Sequence, residues 1–342
     1  MLILLSWCLA VIAADDPQAA ADRASRARVI DEIAATLNSD YVFPEVATRM
    51  AAALRDALHA GRYDRATAAS ELAALLTRDL QAISHDGHLR VDAMPASPLA
   101  ADARDDATAR TMAAWNNHGF VRVERLPGNV GYVKLDSFAA GDDAELTASN
   151  AMSFLADTSA LIFDLRDNGG GSPDMIVWLA SYLLDEPVHL NSFFNRRTGA
   201  TTETWSRAEV PGRRYDAEKP VYVLTSKRTF SAAEEFTYDL KNLERAVVVG
   251  ETTGGGAHPV FPHRLNAEMV MSVPFARAIN PITNTNWEGT GVLPDIAVKA
   301  SDALYAAELD ALAQIDKSVS QPLQKADVQD ALRQVKAKYP KY

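Results

Sequence analysis

LIFDLRDNGGGSPD, residues 161–174, changes character halfway along. Leu161, Ile162 and Phe163 form an apolar run with the look of a buried strand, and Pro173 opens a helical segment as prolines do at a first turn. Between them stand Asn168, Gly169, Gly170 and Gly171. Glycines at the carboxyl end of a strand let the backbone approach a ligand closely and leave its amides pointing outward. The same residues also suit a plain tight turn. A nucleotide phosphate loop is a poor fit, because no Lys-Ser/Thr pair follows and the GxGxxG spacing is absent.

The strand-then-helix pattern repeats on both sides of this stretch. Apolar runs at 130–135, 160–165, 221–224, 246–249 and 269–273 alternate with or precede helical segments near 144–156, 173–184, 232–243 and 302–314. Such alternation indicates an α/β layer domain. Upstream, Val29, Ile33 and Leu37 recur at helical spacing, as do Met50, Leu54 and Leu58, then Leu72, Leu76 and Leu80. Phe43-Pro44 interrupts the first of these helices, and the segment 59–62 ends the second. This predicts a small helical bundle at 15–92, a linker at 93–115, an α/β core at 116–300 and a helical tail at 301–342.

The chain has 342 residues, 48% of them hydrophobic and 23% charged, ample for a sizeable core. A net charge of -11 argues against a nucleic-acid or anionic-membrane surface. MLILLSWCLAVIAADDP, residues 1–17, is a short apolar stretch ending in small residues. At about 13 residues it is too short to span a membrane and resembles a secretory signal over 1–14, with cleavage near Ala13 or Ala14. Its start carries no Lys or Arg. A periplasmic or secreted protein without stable membrane insertion is therefore expected. Cys8 is the only cysteine, so removal of the leader would leave neither a disulfide framework nor a cysteine nucleophile.

Ser231 stands between the apolar run 221–224 and a helix, in TSKRTFSAAEEF (225–236). Ser231 and Glu234 have the spacing of a capping box, in which the hydroxyl bonds the N3 amide and the carboxylate reaches back. The same place suits a nucleophile, because amides at a helix start are unpaired and favour developing negative charge. There the Ala232 amide would be half of an oxyanion hole. Of the seven histidines, His88 follows a tight Asp86-Gly87 turn at the seam between bundle and core, where clefts form. His85 and His258 are the other candidate bases. Glu288 lies beside Trp287 in a glycine-rich loop, and suits either a surface acid or a group that orients a histidine. No metal or other cofactor is expected: HExxH, a cysteine ligand set and an acidic Ca²⁺ loop are all missing, and only Asp86 between two histidines offers ligand types.

Taken in order, SHDGHLRV, GFVRVERLPGNVGYVKLDSF, LIFDLRDNGGGSPD, YVLTSKRTFSAAEEF, VVVGETTGGGAHP and NWEGTGVLPDI resemble the tail-specific (C-terminal processing) serine peptidase family. The branch is the one similar to interphotoreceptor retinoid-binding protein and tricorn protease. The resemblance implies a ClpP/crotonase-like core behind an N-terminal helical domain, with peptide or protein substrates. It implies Ser231 as nucleophile, with Gly170 and Ala232 supplying oxyanion amides and Gly169 and Gly171 as close alternatives that bind substrate backbone. One branch of the family uses a lysine as base, but Gly256 stands where that lysine would be. The other uses histidine and glutamate, which implies a His88, Ser231 and Glu288 triad. About 30 residues between bundle and core are too few for a PDZ module. The rival reading, suggested by the retinoid-binding relatives, is a non-catalytic binder of small hydrophobic ligands.

Overall fold

Proline is tolerated at the first turn of a helix, where its missing amide would be unpaired anyway. In the computed structural model, which describes residues 17–94 and 104–339, α2 (Pro44–His59) begins this way, after α1 (Pro17–Asp40). Then come α3 (Ala69–Ser84), β1 (Arg90–Ala93) and α4 (Arg104–Trp115). The leader at 1–14 lies outside the described residues. Within the stretch read as a linker, 104–115 is helical, since its alanines and arginines are strong helix formers.

The core follows as β2 (Phe120–Leu126), β3 (Val130–Leu135), α5 (Asp142–Leu155), β4 (Ala160–Asp164), α6 (Pro173–Ser181), β5 (His189–Asn195) and β6 (Thr201–Trp205). It continues with β7 (Val221–Thr225), α7 (Ala232–Asn242), β8 (Val247–Gly250), β9 (Val260–Arg264), β10 (Met269–Pro274), β11 (Ala276–Ile279) and β12 (Ile296–Ala297). Helices α8 (Ala303–Ser318) and α9 (Pro322–Lys338) close it. The largest sheet runs β12-β8-β7-β4-β3-β2, parallel except for β2 at its edge.

Helices cover both faces of this sheet, which is why its strands read as continuous apolar runs. Val133, Leu161, Phe163 and Val223 point to one face and pack with Leu155, Leu179 and Phe236 of α5, α6 and α7. Tyr132, Ile162, Tyr222 and Leu224 point to the other, against Tyr305, Leu312 and Val328 of α8 and α9. The five strands forecast from the sequence are all present.

The bundle is joined to the core by a second sheet, β1-β10-β9, in which Val91 pairs with Met271. Ile33, Leu54 and Leu76 share one apolar cluster with Val91, Met271 and Val273. Arg196 also donates to the carbonyls of Leu37 and Asn38 at the end of α1, and Arg197 to Asp40. Cations suit that end of a helix. The loop between α3 and β1, which carries His88, is thereby fixed against the core.

One buried side chain ties two core loops together. Glu234, on the first turn of α7 and fully buried, accepts the amides of Ser231 at 2.9 Å, Gly255 at 2.6 Å and Gly256 at 2.8 Å, together with the Thr253 hydroxyl. Burial pushes its carboxyl up, and these donors hold it down. Glu234→Ala would orphan three amides, so a loss of about 3 kcal/mol or more is expected in urea unfolding, with Glu234→Gln losing less. A Glu234→Ala stability within about 1 kcal/mol of the parent would contradict a structural clamp.

Candidate active site

Three loops meet at the carboxyl ends of adjacent parallel strands, where open α/β sheets form their clefts. Asn168–Gly171 follows β4, Ser231 follows β7, and the glycine-rich loop 251–256 follows β8. Ser231 adopts φ 56° and ψ -123°, a conformation costly for a residue with a β-carbon. Only half of the expected capping box forms. Glu234 reaches back to the Ser231 amide, but the Ser231 hydroxyl caps nothing, because the Glu234 amide bonds the Ser231 carbonyl at 2.8 Å. Among the described residues the hydroxyl has no hydrogen-bond partner at this helix start, and Ser231 lines a cavity of about 690 Å³.

The glycine loop packs directly against this serine. A β-carbon on Gly170, at φ 107°, would lie 2.7 Å from Ser231 Cβ. The Gly170 amide, expected to face an oxyanion, instead donates to Asn168 Oδ1 at 2.8 Å. Asn168 is itself held by donating to the Leu135 carbonyl at 2.8 Å. The amides of Gly171 and Ala232 make no hydrogen bond among the described residues, and both residues line the cavity. Gly169 is exposed and does not line it.

His88 enters from the bundle side. Asp86, 1% exposed, accepts the His88 amide on Oδ1 at 3.0 Å, while its Oδ2 lies 2.7 Å from His258 Nδ1 and accepts the Tyr41 hydroxyl at 3.4 Å. The His88 ring rests on Phe230 with centroids 4.6 Å apart. A β-carbon on Gly256 would fall 2.2 Å from Phe230 Cζ and 2.7 Å from His88 Cε1. The space that a lysine at 256 would need is thus filled by His88 and Phe230.

Burial pushes the His88 imidazole down to about 4, with the charges of His258 and Arg90 adding and that of Asp86 opposing. Glu288 moves the other way, to about 7, through burial and the nearby Asp86 charge. Its Oε2 accepts the Ala257 amide at 2.6 Å and lies 3.4 Å from His258 Nδ1. Its Oε1 and His88 Nδ1 are both buried without a hydrogen-bond partner. One donor atom each from Asp86, His88 and Glu288 lie within 4.8 Å of one another. That grouping could hold a divalent ion or pass a proton.

Ser231, Ala232, His88, His258 and Gly171 therefore front one cavity, with Glu288 behind the histidines. His85 is exposed, caps α3 in a left-handed conformation and does not reach the cavity. A larger cleft of about 940 Å³ near Tyr222 and Arg245 contains neither His88 nor Ser231. Three residues that hold the site were missed as such from sequence: Asn168, Phe230 and Asp86. Asp86 was signalled by its place in the Asp-Gly-His turn, and Asn168 by heading the glycines.

Two family models match the chain in succession, the N-terminal domain of Peptidase_S41 in eukaryotic IRBP over residues 19–118 and peptidase family S41 over 129–298. Carboxyl-terminal-processing peptidase 2, chloroplastic, of Arabidopsis thaliana is 30% identical over 182 residues, covering 51% of this chain and 34% of that one. The carboxyl-terminal-processing protease of a Picosynechococcus species is 27% identical over 209 residues, covering 58% and 48%. The chain thus spans a third to a half of the length of these curated relatives. The solved structure of a candidate peptidase from Parabacteroides merdae superposes with a TM-score of 0.60 at 21% identity, covering 86% of this chain and 99% of that one. Tricorn protease superposes at 0.56 and 13% identity, covering 86% and 37%; at such identities the likeness is one of fold. With both family models matching in order along this α/β core and its helical bundle, the chain belongs to peptidase family S41.

Proposed function

We propose that this chain is a serine peptidase that cleaves peptide bonds through an acyl-enzyme on Ser231, activated by His88 and Glu288 rather than by a lysine. The observation that carries this reading is the free Ser231 hydroxyl, held at a helix start in one cavity with His88 and two unpaired amides. A hydroxyl is a weak nucleophile until a neighbouring base takes its proton. With its imidazole near 4, His88 is neutral at physiological pH and able to accept that proton. Attack then bonds Ser231 Oγ to the substrate carbonyl carbon. The Ala232 and Gly171 amides meet the oxyanion, Gly171 taking the role first given to Gly170. His88 returns the proton to the leaving amine, the peptide C–N bond breaks, and water repeats the sequence to release the acid. Glu288, with a carboxylate oxygen within 4.8 Å of a His88 ring nitrogen, steadies the imidazolium between these steps. Substrate backbone would add as a strand beside Gly169 and Gly171, both exposed.

The rival reading, a non-catalytic binder of hydrophobic ligands, draws on the same cavity, whose lining includes Val177, Phe193 and Phe275. Its volume alone favours neither. The unpaired amides and the strained serine favour catalysis, since a passive pocket has no use for them. We also propose export, on the apolar stretch 2–13. Among the described residues no helix is long and apolar enough to cross a membrane.

Hydrolysis of an unfolded casein, followed by mass spectrometry, tests the assignment. Ser231→Ala and His88→Ala are each expected to lower kcat by about 10³-fold or more while the fold persists. Hydrolysis surviving Ser231→Ala in purified protein would sink it. The pH profile separates the two partners. His88 is deprotonated above about 4, whereas Glu288 ionises only as pH passes about 7. The kcat/KM profile should therefore rise near 7, and Glu288→Gln should remove that rise while leaving the one near 4; an unchanged rise near 7 would contradict the role of Glu288. Gly256→Ala must displace Phe230 and His88, so kcat should drop by about 10²-fold. Full activity in that variant would show that His88 need not sit where it does.

A further inference from the structure

Glu235 is the buried acid in the cavity for which the reaction above has no use. It lies one helical turn beyond Ser231 on α7, and side chains on a helix lean toward its N-terminus, here toward the serine. It is 8% exposed and lines the cavity. A single long contact of 3.4 Å from Asn191 Nδ2 reaches its Oε1. The other carboxylate oxygen has no hydrogen-bond partner among the described residues. One turn further along, Asp239 is 1% exposed, takes Asn280 Nδ2 on Oδ1 at 3.2 Å, and leaves Oδ2 buried with no partner. Burial pushes the Glu235 carboxyl up to about 7, and Asp239 well above its ordinary range through burial and the charge of Glu235.

Buried carboxylates are normally paired or fully hydrogen-bonded, because an isolated charge is costly to take out of water. Here two stand in sequence with one amide contact each and, among the described residues, no cationic partner. The described cavity lining also contains Asp174 and no Lys or Arg. Thr202 and Thr204 add uncharged polar groups to its wall, and Phe193 and Val177 give apolar surface along which a long aliphatic stem can lie. Apolar walls leading to an under-bonded carboxylate fit a long side chain with a cationic tip.

We propose that Glu235 is the specificity-determining residue of the cavity and selects peptides with Lys or Arg next to the bond that is cut. This rests on the peptidase reading, although the selection itself is a property of binding. The substrate's ammonium or guanidinium supplies the cationic partner that the described cavity lining lacks. The net charge of -11 favours the approach of such peptides at low ionic strength.

Two measurements test it. In the Ser231→Ala background, calorimetric titration compares two nonapeptides alike except for a central Arg or norleucine. The Arg peptide is expected to bind about tenfold tighter or more, and Glu235→Gln added to that background should bring the ratio close to one. Gln is isosteric and removes a buried charge, so the variant should fold. In parallel, cut sites in an unfolded casein should be enriched about tenfold for Lys or Arg beside the cleaved bond, an enrichment lost in Glu235→Gln. An equal affinity for both peptides, or an Arg preference that survives Glu235→Gln, overturns the proposal whatever the cleavage pattern. Absent cleavage with the Arg preference intact would refute the peptidase reading and leave the Glu235 assignment standing.

Discussion

The Glu234 carboxylate accepts the amide of Ser231 on one side and those of Gly255 and Gly256 on the other, with no part of the residue exposed to solvent. Those three amides belong to the loop after β7 and the loop after β8. Holding them on one anion fixes the start of α7 relative to the segment that leads to Ala257 and His258. It also explains the free hydroxyl. With Glu234 satisfying the Ser231 amide and the Glu234 amide bonded to the Ser231 carbonyl, the helix start needs no side-chain cap. The strained backbone of Ser231 is sustained by the same bonds, since strain persists only where its surroundings over-determine it.

Space at the centre of the site is divided with little to spare. Phe230 is wedged among glycines, with hypothetical β-carbons on Gly87, Gly254 and Gly256 falling 3.3, 2.7 and 2.2 Å from its ring. His88 lies over the same ring. A lysine at 256 and a histidine at 88 therefore exclude one another sterically. The electrostatics follow from the same crowding. Burial keeps His88 neutral at physiological pH and raises the Glu288 carboxyl toward its neutral form, so the two do not rest as an ion pair.

Much of this was legible in the sequence where the signal was local or strongly patterned. Four parallel strands of the large sheet, β3, β4, β7 and β8, announced themselves because burial on both faces makes them largely apolar, whereas the two-residue, part-exposed β12 did not. The strands β5, β6 and β9 did not. Segments such as TTETW and VFPHR are half-exposed and become strands only through their neighbours. Ser231, His88 and Glu288 could be named singly, but their meeting depends on β1 pairing with β10, a contact between residues about 180 positions apart. The direction of the Gly170 amide was not legible, because sequence does not show which way an amide points; in the structure it donates to the Asn168 side chain. The under-bonded acids Glu235 and Asp239 read in sequence as polar positions of an amphipathic helix. Only the fold shows that this face is buried.

On the proposed reading, Ser231 is a nucleophile made reactive by His88, 143 positions earlier in the chain. Intact-mass analysis after exposure to a fluorophosphonate, with the adduct mapped by tryptic digestion, tests it most directly. A single adduct on Ser231 is expected, formed at a rate that drops by about 10²-fold or more in His88→Ala and is restored in part by added imidazole. No adduct on the parent protein, or one formed equally fast without His88, would contradict the account.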